Sequence, residues 1–138
     1  MGCDIHMMVE YNHPKFGWIN LVCGNDRGIT EASLGDWYLH RNYTVFYAIA
    51  KVRYERKEIE GLEPRGHPDD CTPNTRAFFE DDLDLHSHSH LSYKEFDDAI
   101  RPLGASKGGY HECLLGPVQL SYHVEELERV RFVFAFDN

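Results

Sequence analysis

The sequence has no pair of cysteines close enough to mark a zinc knuckle or a redox motif: Cys3, Cys23, Cys71 and Cys113 are scattered over 138 residues. That spacing reads as unpaired thiols in a reducing cytoplasm, with a zinc site borrowing Cys3 or Cys71 as the alternative. Basic residues are also scarce. Fourteen Lys and Arg face 23 Asp and Glu, a formal charge of −9, which argues against a surface built on nucleic-acid phosphates and against polymeric DNA or RNA as partner. A small anion stays open, because a few arginines or a metal ion can reverse the field locally. No stretch approaches the roughly 20 apolar residues that span a bilayer. No basic region followed by an apolar run marks a signal peptide, and the acylation pattern that Met1-Gly2-Cys3 begins wants Ser or Thr where His6 stands. These features predict a cytoplasmic chain without a membrane partner.

What is present suits one packed core. Hydrophobic residues make up 42% and aromatics 13% of the sequence, so residues 1–138 read as a single globular domain. Residues 3–11 alternate, with Cys3, Ile5, Met7, Val9 and Tyr11 on an apolar face and Asp4, His6, Met8 and Glu10 on a mixed one. A turn then leads into a second strand over 18–23. Residues 24–35 read as loop. Asn42 caps a largely buried helix running to about Arg53. Residues 60–73 form a long irregular connection, and Thr72-Pro73 opens a short helix through Phe78-Phe79. Ser92 and Glu95 have capping-box spacing for a helix to about Ile100. Residues 102–117 read as a second loop, and Pro117 as the start of a helix with Leu120, Val124 and Leu127 on one face. Val130, Phe132, Phe134 and Phe136 alternate as a last strand. The expected fold is α/β or α+β: a small mixed sheet (strands near 3–11, 18–23 and 130–136) covered by about four helices.

The chemistry concentrates in Asp84-Leu85-His86-Ser87-His88-Ser89-His90. An extended backbone would set Asp84, His86, His88 and His90 on one side, about 6.5–7 Å apart. Such a row can ligate a metal, or hydrogen-bond a ligand without one, or simply be a solvated loop. Asp4 and His6 form a second D-x-H pair, a spacing that can enter one metal sphere. Arg65, in Arg65-Gly66-His67-Pro68-Asp69-Asp70, can fork onto a phosphate, while Asp69 or Asp70 can orient a histidine. Arg41 and Arg53 flank the helix after Asn42 as further anion contacts or ordinary salt-bridge partners. His90-Leu91-Ser92-Tyr93 fits the tetrapeptide of metal-free 2H phosphoesterases, but the second copy those enzymes need is missing.

At these residues the chain resembles a family of small phage and bacterial proteins that open with Met-Gly-Cys-Asp-Ile-His. The likeness continues through Arg41-Asn42-Tyr43 with Phe46, Ala50, Val52 and Arg53. It takes in Arg65-Gly66 with Pro68 and Asp70, Asp84 with His86-Ser87 and Ser89, and the ending from Val130 to Asn138. It implies a phage-like accessory protein of the host cytoplasm and carries positions rather than a mechanism. Its H-S-x-S pattern shifts weight from His88 and His90 toward His86 with Asp4, His6 and Asp84. It also brings in Asp137-Asn138, should the last strand pair beside residues 3–11.

The leading expectation is a small hydrolase, a phosphodiesterase acting on a nucleotide-like anion such as a host immune signal. Asp4, His6, Asp84 and His86 would hold a divalent ion (Zn, Mn or Mg), with His86, Asp84 and Ser87 as the catalytic groups. Arg41, Arg65, Asp70 and Ser89 would bind the ligand. The alternatives are a non-catalytic protein that sequesters such a signal and a protein–protein inhibitor of a host enzyme. A homo-oligomer stays open.

Overall fold

The alternation of the opening residues becomes a strand, β1 (Ile5–His13), displaced by two residues from the expected span. In the computed structural model the described residues are 2–22, 37, 39–53, 58–121 and 124–137; Cys23 and the loop expected over 24–35 lie outside them. β1 turns through residues 14–16 into β2 (Gly17–Leu21), and Gly17 takes a φ of +73° that favours glycine. β3 (His86–Ser92) is the histidine-rich stretch, and β4 (Val130–Phe136) is followed by Asp137. The strand order is β2-β1-β4-β3 with every pairing antiparallel, so of the two expected classes the fold is α+β.

The sheet is covered on both faces. Ile5, Met7, Val9 and Tyr11 join Phe132, Phe134 and Phe136 in a large core under the helices. Met8, Val133 and Ala135 meet Phe79 and Leu85 in a smaller one. Local signals account for the helices. Asn42 accepts from the Val45 amide at 3.1 Å and starts α1 (Tyr43–Ala50). α1 stops short of Arg53 because Lys51 turns left-handed (φ +52°), with its amide bonded to the Phe46 and Tyr47 carbonyls. Thr72 caps α2 (Pro73–Glu80) with Pro73 in the first turn. Ser92 and Glu95 close the expected capping box of α3 (Tyr93–Ile100).

Two expectations fail between residues 101 and 129. The loop expected over 102–117 is helical: a 3₁₀ stretch Arg101–Lys107, kinked at Gly104, then a π turn His111–Leu115 running into α4 (Gly116–Gln119). The reason is periodicity that the glycines disguise, since buried Tyr110, Leu114, Leu115 and Val118 recur at helical spacing. The helix expected from Pro117 through Leu127 does not extend that far. α4 ends at Gln119, Leu120 is 85% exposed, and a separate 3₁₀ turn spans Leu127–Arg129.

One buried ion pair ties sheet to helix. Glu10 is fully buried and sits opposite Arg131 in the β1–β4 register, with Arg131 Nε donating to it at 2.7 Å. The other Glu10 oxygen accepts from the Thr72 amide at 2.8 Å, the N-cap of α2. Arg131 also stacks over Trp18 at 3.5 Å from the ring centre. Removing Glu10 leaves Arg131 with Asp70 as its remaining acidic partner and takes the acceptor from the buried Thr72 amide, so Glu10→Ala is expected to cost about 2–3 kcal/mol. Breaking the exposed Lys94–Asp98 pair by Lys94→Ala should stay within about 0.5 kcal/mol. Denaturant unfolding followed by tryptophan fluorescence checks both.

Candidate functional site

The start of β1 carries the opening hexapeptide, and each of its described residues has a physical task. β2 pairs with β1 only from Val9 onward; nearer the start of β1, the Trp37 amide bonds to the Met7 carbonyl at 2.9 Å. A side-chain carbon at Gly2 would fall on the Arg41 guanidinium, which explains glycine there. Arg41 grips Asp4 through Nε (2.6 Å) and Nη2 (3.2 Å). That guanidinium holds the Asp4 carboxyl below the usual carboxylate range. Cys3 and Ile5 are buried, and burial pushes the Cys3 thiol up, against the thiolate that zinc requires.

β4 places its end beside this motif. The Asp137 amide bonds to the Asp4 carbonyl at 3.0 Å, and Asp137 Oδ1 accepts from the Asp4 amide at 3.0 Å. The other oxygen, Oδ2, lies 2.7 Å from His6 Nε2. The sequence admitted Asp137 to the site on condition that the last strand paired beside the first, and it does; Asn138 lies outside the described residues. The His6 and Asp137 side chains are 26% and 34% exposed, and His6 lines a groove of about 640 Å³ whose walls also include Asp4, Leu39, His40 and Arg41.

The other expected residues lie elsewhere. His86 is at the same end of the sheet, opposite Phe136, but β3 carries a bulge: three steps from His86 to Ser89 face two on β4. Residues paired across a ladder share a face, so His86 takes the Phe136 side, while His90, opposite Val133, takes the other. The single-faced histidine row is therefore broken. Ser87 adopts φ +55° at the bulge, with Oγ 3.0 Å from His86 Nδ1. His86 Nε2 is buried without a hydrogen-bond partner among the described residues. His6, opposite Ala135, faces the side of the sheet away from His86. Asp84 is exposed, in a turn where its amide bonds to Asp82. The four expected metal ligands thus do not converge, and among the described residues no three His, Cys, Asp or Glu side chains form a metal-holding group.

Of the expected ligand contacts, only Arg41 lines the groove. Arg65 pairs with Glu95 at 2.6 Å, and its amide donates to the buried Ser89 hydroxyl. Asp70 accepts from Arg131 and Trp18, and the Arg131 contact holds its carboxyl low. Among the described residues it orients no histidine. From Arg131 the strand runs roughly 15–20 Å to the His6–Asp137 end. Arg53 stacks on Tyr43, 4.8 Å from its ring centre.

Two histidines escaped the sequence reading. His40 stands in the groove wall after a stretch without pattern. His67, hidden in a turn-like run, donates from Nε2 to the Phe134 carbonyl at 3.1 Å, with His88 Nδ1 at 3.2 Å sharing that proton. Nothing in the spacing could have found either. No family model, curated protein or solved structure matches the chain. Among the described residues, no helix is long and apolar enough to cross a membrane.

His67 generates a pH prediction. Burial lowers its pKa to about 4, from 6.5 in the open chain. Between those values the unfolded state binds the extra proton, so stability rises with pH there and is lost on acidification. The expected loss between pH 6.5 and 4 is on the order of 2 kcal/mol for a half-buried ring. Asp4 and Asp70 lose their contributions only as pH falls through their lowered folded values. Unfolding curves against pH should flatten over the upper window in His67→Asn, and NMR should show the His67 ring titrating near pH 4.

Proposed function

We propose that the chain is a small hydrolase in which His6 and Asp137 form the acid–base pair and a nucleotide-like phosphodiester is the substrate. The 2.7 Å contact between His6 Nε2 and Asp137 Oδ2, at the edge of a groove that also holds Arg41, carries this reading. Asp137 would fix the imidazole and stabilise its charged form. The substrate phosphate would take one donor of Arg41 in exchange for Asp4. Water attacks phosphorus and gives its proton to His6. The P–O bond to the leaving group breaks, and His6 returns a proton to the departing oxygen. The expected Zn, Mn or Mg ion has no step here, because Asp4, His6, Asp84 and His86 do not converge. The resemblance to phage and bacterial proteins supports a host immune nucleotide as substrate, an anti-defence role and the host cytoplasm as the setting.

A sequestering protein is the second reading. It is favoured by the double hold of Asp4 on Arg41, which presents a positioned guanidinium without requiring any bond to be cut.

Incubation of the purified protein with linear and cyclic nucleotides, with elemental analysis alongside, separates these readings. Turnover that falls about 10²–10⁴-fold in His6→Ala and in Asp137→Asn is the expected result. Normal turnover in His6→Ala removes this pair from the mechanism. Nucleotide recovered intact after denaturation, without turnover, supports sequestration. Stoichiometric metal whose removal stops turnover replaces the metal-free scheme. Neither ligand nor turnover favours the protein inhibitor.

A further inference from the structure

A second groove, of about 840 Å³, opens between α1, α3 and the chain that follows each, and shares no wall with the first. Its size is that of a ligand-binding cleft. The floor is apolar: Leu62, Ala99 and Leu103 are half-buried and pack against the main core. The rim is acidic from two separate parts of the chain, Glu58 and Glu60 after α1 and Glu95 and Asp98 on α3, and among the described residues no basic one lines the groove. Among the described residues, Arg65 and Lys94 pair with two of these rim carboxylates, Glu95 and Asp98, each at 2.6 Å, while Lys51 pairs with Glu63 at 2.7 Å; Glu58 and Glu60 have no such ion pair there.

We propose that this groove docks a basic amphipathic peptide segment of a partner protein, in which leucine-like side chains are flanked by lysine or arginine. A purely apolar occupant would strip water from Glu58 and Glu60 without answering their charge, and would bury the Glu95–Arg65 and Asp98–Lys94 pairs beside them. A purely cationic one would leave the aliphatic floor wet. A segment carrying both can set an aliphatic anchor on Leu62 and Leu103 while its cations meet Glu58 and Glu60 on one wall and exchange with the exposed Lys94 for Asp98 on the other. The net charge of −9 draws such a partner in and repels acidic ones.

The test uses the full chain and three synthetic peptides of one length: Lys alternating with Leu, Glu in place of Lys, and Ser in place of Leu. Backbone-amide NMR should show the Lys/Leu peptide shifting signals of residues 58–62 and 98–106. Its affinity should fall about tenfold between about 50 and 300 mM salt, and again about tenfold in Glu60→Lys/Asp98→Lys, whose exposed sites leave the fold intact. The peptide comparison stands without any variant. Equal binding of the Glu/Leu peptide reduces the groove to an apolar patch, and equal binding of the Lys/Ser peptide reduces it to charge alone; either overturns the proposal. So does a shift pattern away from the groove, unchanged affinity in the double variant, or sedimentation showing that a second copy of the chain fills it.

Discussion

The place of β4 between β1 and β3 decides what can meet in this protein. The pairing sets Asp137 against Asp4 and His6, residues more than 130 positions away in sequence. It also sets His86 on the same end of the sheet. Such long-range closure is costly in chain entropy and needs strong support. The support is apolar: Phe132, Phe134 and Phe136 are fully buried in the main core, and Val133 and Ala135 fill the smaller one. The candidate site is thus a by-product of packing, set at the point where a strand buried on both faces runs out into solvent.

What was legible in the sequence was local. Alternation marked β1 and β4, Asn42 and Thr72 announced their helices, and Ser92 with Glu95 announced α3, because a cap or a period of two needs only near neighbours. The stretch 101–119 was illegible for the opposite reason. Gly104, Gly108, Gly109, Gly116 and Pro117 are the punctuation of loops, yet burial of Tyr110, Leu114, Leu115 and Val118 overrides them. Side-chain partners were harder still. Arg65, Arg41 and Asp70 looked like ligand contacts, and each has an internal counter-charge that sequence spacing does not reveal: Glu95, Asp4 and Arg131.

The opening hexapeptide shows how a motif can be structural and chemical together. Gly2 yields room for Arg41, Asp4 anchors it, Cys3 and Ile5 fill the core, and only His6 is left facing an acid at the groove. A site assembled this way is rigid on one side, where the sheet holds His6 and Asp137. On the other it depends on the hold of Arg41 on a carboxylate that is nearly half exposed.

The histidine strand has a consequence beyond chemistry. β3 is an outer strand, and such strands offer unpaired backbone groups to any neighbouring chain. Here the bulge at Ser87 breaks the flat template. The chain at 65–66 occupies the outer border, with the Gly66 amide on the His88 carbonyl, the Arg65 amide on the Ser89 hydroxyl and His90 Nδ1 on the Gly66 carbonyl. Ser89 and His90, which look like part of a reaction centre, thereby help to cover a border, and fewer of its backbone groups are left to pair with another sheet edge.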